Sequence, residues 1–334
     1  MVPPTTAQQP GYLGRMLAAY AARISPDSPV DALEVGQRPD PVERENWSVV
    51  QVRAASLNHH DLWSLKGVGL REDQLPMILG TDAAGIAPDG SEVIVHGVVG
   101  ADGHGVGPRE RRTLLSEKYD GALAEYVTVP TANLLPKPPE LTFAEAACLG
   151  TAWLTAYRML FTVADLKPGQ SVLVQGAGGG VATAAIVLGA AAGLEVTATS
   201  RSGAKRERAL ALGARHALEP GARVPARVDA VIESVGQATW SHSVRSVKPG
   251  GTIAVCGATS GDAPGAELTR VFFQELTVRG VTMGTREELA ALAAFCARSD
   301  VRPVIDSTFA LADAAAGLAR LAEGAQVGKI VIEP

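Results

Sequence analysis

The chain has 334 residues, with a formal net charge of −5 and a 46% share of hydrophobic residues. A single hydrophobic core rarely grows beyond about 250–300 residues, so the length predicts two domains. The negative charge and the lack of a long basic run argue against nucleic acid as a partner. The three cysteines, Cys148, Cys256 and Cys296, lie far apart and form neither a disulfide framework nor a metal-ligand spacing. We therefore expect a small-molecule function in the reducing cytoplasm.

The first part of the chain has the pattern of short strands. Residues 1–14 form a polar tail without the features of a secretory signal, so ordered structure is expected to begin near Arg15. From residue 16 to about 139, short apolar runs alternate with Gly, Pro and Asp, which is typical of strands. Residues 97–120 lack periodicity and are expected to be a surface loop. The clearest predicted strands are 47–53, 91–96 and 124–129.

From about residue 143 the pattern changes to helices alternating with short apolar strands. This alternation predicts a parallel sheet covered by helices on both faces, which is an α/β fold. The last fifty residues are expected to hold two further helix and strand pairs. The predicted strands of the parallel sheet are 171–175, 195–199, 228–232, 252–256 and 277–281.

A glycine-rich loop follows the first strand of this second part. It runs from Gly176 to Ala182 and precedes an apolar helix predicted at 183–192. Glycine lets the backbone N–H groups approach a pyrophosphate at the positive end of a helix. The placement between strand and helix favours a dinucleotide site over a merely flexible loop. It also favours strand, loop and helix over a membrane span for the uncharged stretch 172–194. The loop residues expected to bind the cofactor are Gly176, Gly178, Gly179, Gly180 and Val181.

The residues after the next strand indicate which dinucleotide is bound. An NAD site carries an Asp or Glu about 20 residues beyond the glycine loop, to bind the ribose hydroxyls. Here Ser200 and Arg201 stand at that place, followed by Lys205. A hydroxyl beside a guanidinium suits a 2′-phosphate. We therefore predict NADPH, with solvated charges at a helix start as the alternative explanation of Arg201 and Lys205.

Several motifs together resemble the medium-chain dehydrogenase/reductase superfamily. The resemblance implies a strand-rich GroES-like domain (1–150 and 286–334) and a Rossmann dinucleotide-binding domain (151–285), with the active site in the cleft between them. The motifs are Ala55-Ser-Leu-Asn-His-His-Asp-Leu-Trp63, Leu79-Gly-Thr-Asp-Ala-Ala-Gly85, Gly121-Ala-Leu-Ala-Glu-Tyr-Val127, Leu154-Thr-Ala-Tyr157 and Gly328-Lys-Ile-Val-Ile332.

The positions that carry catalytic zinc ligands in this superfamily hold other residues here. They are Asn58, the pair Thr81-Asp82, and Thr151. Amides and hydroxyls are poor zinc ligands, so no metal is expected at this site. Residues 97–120 also contain no cysteine for a structural zinc.

Loss of the zinc ligands with retention of the cofactor loop resembles the quinone oxidoreductase and enoyl reductase branch. This implies hydride transfer from NADPH to a quinone or an α,β-unsaturated carbonyl. Some enoyl reductases have a tyrosine that donates a proton at the position of Trp63. The absence of that tyrosine here weakens an enoyl reductase assignment. Two alternatives stay open: an alcohol or ketone dehydrogenase, and an NADPH-binding protein with negligible turnover.

Candidate catalytic residues come from the same motifs. His60 matches a position that relays protons in relatives, and Asn58 and Thr81 are expected near the nicotinamide or the substrate oxygen. The alternative for Asn58 is a turn-forming role, and for Asp61 a structural acceptor. Asp82 is a candidate for a buried carboxylate that stabilises the site.

The resemblance also implies further cofactor contacts and a homodimer. We expect the dimer to form by pairing of the strand at 277–281, since an open sheet edge seeks a partner. Cys256 is expected to be a small buried residue rather than a nucleophile. The further cofactor contacts are His59, Thr151, Thr155, Ser234, Val235, Cys256, Gly257, Met283, Gly284 and Thr285.

Overall fold

The computed structural model describes residues 14–100 and 112–334. Its first half is rich in short strands and contains a single short α-helix among the residues described there. In chain order this half has β1 (Arg15–Ala21), β2 (Leu33–Pro39), β3 (Trp47–Ser56), α1 (His59–Leu65), β4 (Met77–Ile78), β5 (Asp82–Ile86), β6 (Glu92–Val95), β7 (Val98–Gly100), β8 (Arg112–Leu114), β9 (Tyr126–Pro130) and β10 (Leu134–Pro136).

The second half alternates helices with strands, as the sequence predicts. It opens with a helical run from 143 to 163, in which π-helical turns at Leu149–Trp153 and Arg158–Val163 flank α3. The elements are α2 (Phe143–Ala147), α3 (Leu154–Tyr157), β11 (Ser171–Val174), α4 (Gly180–Ala191), β12 (Glu195–Thr199), α5 (Gly203–Ala211), β13 (His216–Leu218), β14 (Val228–Glu233), α6 (Gln237–Ser246), β15 (Val247–Val255), α7 (Leu268–Phe273), β16 (Thr277–Gly280), α8 (Arg286–Arg298), β17 (Ile305–Ala310), α9 (Ala314–Glu323) and β18 (Lys329–Glu333).

A six-stranded parallel sheet forms the centre of the second half. Its strand order is β13-β12-β11-β14-β15-β16, so the chain reverses its direction of winding between β11 and β14. In open α/β sheets ligands bind at such a switch point, outside the carboxyl ends of the strands. The predicted doubly wound α/β fold is therefore confirmed. β13 escaped prediction because three residues are too few to show a period.

The strand-rich half is completed by the end of the chain. β18 pairs antiparallel with β3 through Val331 and Ile332, and it pairs parallel with β17. The resulting seven-stranded sheet has the order β10-β6-β5-β3-β18-β17, with β9 also paired to β3. The return of the C-terminal segment to the first half thus brings Lys329 beside the residues that follow β3.

One expected surface loop is partly structured. Of residues 97–120, the ends form an antiparallel pair, β7 with β8, and Val98, Val99 and Leu115 are buried. Branched apolar side chains that pack against the sheet outweigh the glycine and charge content on which the loop prediction rested. Residues 101–111 lie outside the described part of the chain.

The helical run at 143–163 packs between the two sheets. Trp153 and Leu154 are fully buried in a core that also contains Ile94 and Val331 from the strand-rich half and Val172 from the parallel sheet. Residues 149–155 therefore lie where the two halves meet. In the described residues, no helix is both long and apolar enough to cross a membrane.

Candidate active site

The glycine-rich loop crosses the carboxyl end of β11 and leads directly into α4. Gly176 has a φ of 81°, a conformation that favours glycine, and Gly179 is the N-cap residue of α4. The helix begins at Gly180, three residues earlier than predicted. The loop therefore presents backbone N–H groups at a helix N-terminus, which is the geometry that binds pyrophosphate.

Two lysine side chains lie against this loop. A Cβ placed on Gly178 would lie 2.7 Å from the Lys205 ammonium nitrogen, and one on Gly180 would lie 3.0 Å from Lys329 Cδ. Lys205 donates hydrogen bonds to the carbonyls of Gly324 (2.7 Å) and Gln326 (2.9 Å). Its ammonium thus joins the loop to the segment before β18, and it adds positive charge where phosphates are expected.

The carboxyl end of β12 carries the residues predicted to select the cofactor. Ser200 is buried and Arg201 is exposed. The guanidinium of Arg206 donates to the carbonyls of Ser200 (2.8 Å) and Arg201 (3.3 Å), and it is paired with Glu219 at 3.3 Å. Two guanidinium groups therefore accompany the Ser200 hydroxyl at this edge.

A buried carboxylate orders the second loop of the cofactor site. Glu233, the last residue of β14, accepts hydrogen bonds from the backbone of Val235 (2.8 Å) and Gly236 (3.0 Å). Its side chain also accepts from the hydroxyls of Thr239 (2.9 Å) and Ser243 (2.6 Å). The loop from Ser234 to Gly236 is thus held by a fully buried anion, a role that sequence reasoning missed.

The first functional loop follows β3 and is fixed by Asp61. This fully buried carboxylate accepts from the backbone N–H of Asn58 (2.8 Å) and of Gly80 (3.0 Å), so it caps α1 and fixes the segment before Thr81. Burial raises the pKa of Asp61, and the nearby His60, the Asn58 N–H group and Lys329 oppose that shift. Asp61 is therefore a structural acceptor.

Asn58 lies at the junction of the two halves, in contact with a buried ion pair. Its amide oxygen accepts from the Lys329 ammonium at 2.6 Å, and its amide nitrogen donates to Asp82 Oδ2 at 2.8 Å. Lys329 and Asp82 are themselves paired at 3.1 Å, and both are buried. Asp82 Oδ2 also accepts from the Ser56 hydroxyl at 2.8 Å. Asp82 is thus a buried carboxylate that stabilises this site.

Two threonine hydroxyls connect this group to the helical run. Thr81 Oγ1 lies 3.3 Å from the Asn58 amide nitrogen and 2.9 Å from Thr151 Oγ1. Thr81 is fully buried, whereas Thr151 is partly exposed. Gly150 is required next to them because a Cβ there would lie 2.7 Å from Asp82 Oδ1. The structure therefore brings together the predicted residues Asn58, Thr81 and Thr151.

The two histidines of α1 differ in their surroundings. His59 is exposed, yet the protein atoms that crowd its ring and the charge of Lys329 both lower its pKa. His60 Nε2 lies 3.8 Å from Glu117 Oε1. Among the described residues, no hydrogen bond links His60 to Asn58 or Thr81, so its predicted proton-relay role stays a prediction.

Other predicted cofactor contacts have local structural partners. Thr285 caps α8 by accepting from the backbone of Glu288 at 3.1 Å, and the Gly284 carbonyl lies 2.9 Å from His96 Nε2. Met283 is buried against Val98. Burial raises the pKa of Cys256 to about 12, which agrees with an unreactive thiol.

Thr155 and Gly257 were also predicted to contact the cofactor. Thr155 is buried in α3. A Cβ on Gly257 would lie 3.0 Å from the Ser234 carbonyl oxygen, so Gly257 lets two predicted cofactor loops approach each other closely. The cofactor contacts of Thr155 and Gly257 stay predictions.

Lys329 is a functional candidate that sequence reasoning missed. The motif Gly328-Lys-Ile-Val-Ile332 served only as a mark of resemblance. A signal was nevertheless present, because a lysine at the start of an otherwise apolar strand implies a buried charge that needs a partner.

Comparison with protein families agrees with this architecture. Residues 44–139 match the alcohol dehydrogenase GroES-like domain, and residues 180–298 match the zinc-binding dehydrogenase family. A zinc-type alcohol dehydrogenase-like protein of Schizosaccharomyces pombe is 31% identical, over 90% of this chain and 93% of that protein. A 2-methylene-furan-3-one reductase of Solanum lycopersicum is 33% identical over 87% and 72%. A quinone oxidoreductase of Lama guanicoe is 27% identical over 81% and 83%.

Solved structures show the same fold. An NAD-dependent alcohol dehydrogenase superposes with a TM-score of 0.86 at 31% identity, covering 96% of this chain and 100% of the other. The 2-octenoyl-CoA carboxylase reductase CinF, in complex with NADP and 2-octenoyl-CoA, superposes with a TM-score of 0.87 at 25% identity, covering 96% and 87%. With its two domain types and full-length relatives, the chain belongs to the medium-chain dehydrogenase/reductase superfamily and is an oxidoreductase.

Proposed function

We propose that the protein is an NADPH-dependent reductase of quinones or α,β-unsaturated carbonyls that works without zinc. The observation that carries the proposal is the Lys329–Asp82 ion pair at the junction of the two halves. The Lys329 ammonium lies 3.1 Å from Asp82 Oδ2, and Asn58 and Ser56 donate hydrogen bonds to the same oxygen.

The donor set around this pair does not fit zinc. Zinc is held by thiolate, imidazole and carboxylate groups. The groups that meet here are an amide (Asn58), two hydroxyls (Thr81 and Thr151) and a carboxylate already neutralised by Lys329. A divalent ion added beside the ammonium would meet like charge at close range. We therefore assign no step of the reaction to a metal.

The preference for NADPH is supported by the charge at the end of β12. No carboxylate follows this strand directly, and Arg201 is exposed beside the Ser200 hydroxyl. A guanidinium and a hydroxyl bind a 2′-phosphate well, whereas a carboxylate would repel it. The NADP-bound CinF structure shows that a relative of this fold binds that cofactor.

The residues of this chain divide the work of the reaction between the two halves. The glycine loop and the N-terminus of α4 hold the pyrophosphate, while the loop at Ser234 is held rigid by Glu233. NADPH supplies the hydride when bound. The Asn58 and Thr81 side chains lie on the strand-rich side, where their hydrogen bonds to Lys329 and Thr151 fix the geometry of the junction.

A second candidate is an alcohol or ketone dehydrogenase. It is favoured by the likeness to the zinc-type alcohol dehydrogenase-like protein of Schizosaccharomyces pombe, which is 31% identical. The two functions differ in substrate and metal demand. The test is the rate of NADPH and NADH oxidation with a simple quinone, an enone and a saturated ketone, on protein of measured metal content. The proposal predicts activity with the first two acceptors, and the second candidate predicts activity with the ketone that depends on zinc.

A further inference from the structure

A row of polar side chains leads from a buried charge to a partly exposed hydroxyl. It starts at the Lys329 ammonium, which lies 2.6 Å from Asn58 Oδ1. The Asn58 amide nitrogen lies 3.3 Å from Thr81 Oγ1, and Thr81 Oγ1 lies 2.9 Å from Thr151 Oγ1. The row ends with Thr151 at the junction of the two halves. The next residue, Ala152, lies against the start of α4, because its methyl group is 3.2 Å from the position of a Cβ on Gly180.

The lysine fixes the direction of these hydrogen bonds. An ammonium has three N–H groups and accepts nothing. The three acceptors are the Leu57 carbonyl at 2.7 Å, Asn58 Oδ1 at 2.6 Å and Asp82 Oδ2 at 3.1 Å. The amide of Asn58 must therefore turn its oxygen toward Lys329. Its two N–H groups face three acceptors, which are Asp82 Oδ2 at 2.8 Å, Thr81 Oγ1 at 3.3 Å and the Ser56 carbonyl at 3.4 Å.

The direction continues through the two threonines. Thr81 is fully buried and accepts from Asn58, so its own proton needs an acceptor. In the described part of the chain, Thr151 Oγ1 is the side-chain oxygen that lies within hydrogen-bond distance of Thr81 Oγ1. If Thr81 donates to Thr151, the proton of Thr151 is left to point away from Thr81. Thr151 is partly exposed whereas Thr81 is fully buried, so Thr151 is the threonine of this pair that a bound molecule can reach.

We propose that the Thr151 hydroxyl donates a hydrogen bond to the substrate carbonyl oxygen during hydride transfer, and that Lys329, Asn58 and Thr81 are positioning residues that orient it. The assignment rests on the proposed function. The hydride leaves C4 of NADPH and forms a bond to the β-carbon of the enone. The C=C electron pair moves to form the enolate, whose oxygen carries the charge. Water then supplies the proton that completes the saturated ketone, and NADP⁺ is the other product.

Removing the donor tests the assignment directly. Thr151→Val keeps the shape of the side chain and removes the proton, so kcat with an enone is expected to fall about 100-fold. The Kd for NADPH is expected to stay the same, whereas the melting temperature is expected to fall slightly because the buried Thr81 hydroxyl loses its acceptor. Thr151→Ser keeps that acceptor and is expected to rescue most of the lost rate and the stability. The control is Thr131→Val, which removes an exposed hydroxyl paired with Ser48 at 2.8 Å. A loss of NADPH affinity without a loss of kcat would instead place Thr151 on the nicotinamide and overturn the assignment.

The order of the row is tested by combining substitutions. Because Thr81 acts only through Thr151, the double variant Thr81→Val/Thr151→Val is expected to lose no more rate than Thr151→Val alone. If the rate losses of the two single variants multiply in the double variant, Thr81 acts independently of Thr151 and the proposed order of the hydrogen bonds is wrong. For the lysine, Lys329→Met is combined with Asp82→Asn, so that no unpaired charge stays buried. This pair is expected to lower kcat about tenfold, and adding it to Thr151→Val is expected to cause no loss beyond that of Thr151→Val alone.

Binding of an oxyanion separates this inference from the proposed function. The probe is 4-nitrophenolate, titrated by its absorbance into the complex of the protein with NADP⁺. Thr151→Val is expected to weaken its binding at least tenfold, and Thr151→Ser to restore it. If the wild type oxidises no NADPH but its binding of 4-nitrophenolate depends on the Thr151 hydroxyl, the proposed function is wrong and the assignment of Thr151 as a donor is supported. Two results would contradict the assignment of Thr151 as a hydrogen-bond donor. In one, 4-nitrophenolate does not bind the wild type; in the other, it binds Thr151→Val as tightly as the wild type.

Discussion

At the scale of single residues, the surroundings of a side chain decide what it can do more than its type does. His59 illustrates this because it is exposed but lies within the field of Lys329. Crowding of the ring by protein atoms and that charge lower its pKa below the ordinary histidine value of 6.5. If His59 lies beside the bound pyrophosphate, as we predict, NADPH favours its protonated form.

A pH dependence of cofactor binding follows from this. Since a bound anion raises the pKa of a neighbouring base, the NADPH affinity contributed by His59 is absent at high pH and is gained as the pH falls through the pKa of His59 in the complex. We expect a gain of about threefold for a partly exposed ion pair. Titration calorimetry of the wild type and His59→Gln at several pH values measures it. Equal pH profiles for the two proteins would remove His59 from the cofactor site.

Sequence reasoning found most of the residues at the junction but few of their partners. Asn58, Thr81 and Thr151 were found because their positions stand out in motifs that match a superfamily. Lys329 and Gly150 could not be found in the same way, since their importance depends on contacts with Asp82 from a distant part of the chain. Likewise, the contact between His60 and Glu117 depends on how α1 packs against the segment after β8.

At the scale of elements, the loops at the strand ends are fixed by buried polar groups. Glu233 is the clearest case because its carboxylate accepts hydrogen bonds from two backbone and two side-chain donors. An amide at this place turns one acceptor into a donor that faces other donors. Unpaired buried groups cost about 1–3 kcal/mol each, so the loop at Ser234 should lose order.

The corresponding prediction concerns Glu233→Gln. We expect the free energy of unfolding to fall by about 2 kcal/mol and the Kd for NADPH to rise several-fold. Chemical denaturation and fluorescence titration measure the two effects. The matched control is Glu195→Gln, which removes an exposed carboxylate paired with Arg215 and should change neither quantity. Unchanged cofactor affinity in Glu233→Gln would show that the loop does not contact NADPH.

The elements themselves were largely predictable, and the exceptions have physical causes. The alternation of helix and strand after residue 143 fixed the sheet because buried parallel strands form continuous apolar runs. β7 and β8 were missed because each has only three residues. The π-helical turns around α3 leave no trace in the apolar pattern, since that run is buried on nearly all sides.

In the molecule as a whole, the β16 edge of the parallel sheet has no neighbouring strand among residues 14–100 and 112–334. β16 is the last strand in the sheet order, and all four of its residues are exposed. β16 and the preceding helix α7 carry apolar side chains with large exposed fractions: Phe273 77%, Leu268 68% and Phe272 62% on α7, and Val278 47% on β16. Exposed apolar groups at an unpaired edge are typical of interaction surfaces. We propose that two copies of the chain pair here, β16 with β16, about a two-fold axis.

This arrangement predicts a dimer that a charge can break. Light scattering at micromolar concentration is expected to give twice the mass of the chain, and the double variant Phe273→Lys/Val278→Lys is expected to give a monomer with its helix content retained. Tyr126→Lys, which places a charge at an exposed aromatic residue on β9, serves as the control. A monomeric wild type would contradict the proposal.

Hydride transfer to a conjugated carbonyl is proposed to occur at a junction organised by Lys329 and Asp82 rather than by zinc. The most direct test uses NADPH deuterated at C4 with an enone, on protein dialysed against a chelator and shown to be free of zinc. We predict that the product carries deuterium at its β-carbon, and that added zinc does not raise the rate. Deuterium at the carbonyl carbon, or activity that appears only when zinc is restored, would contradict the account and favour an alcohol dehydrogenase.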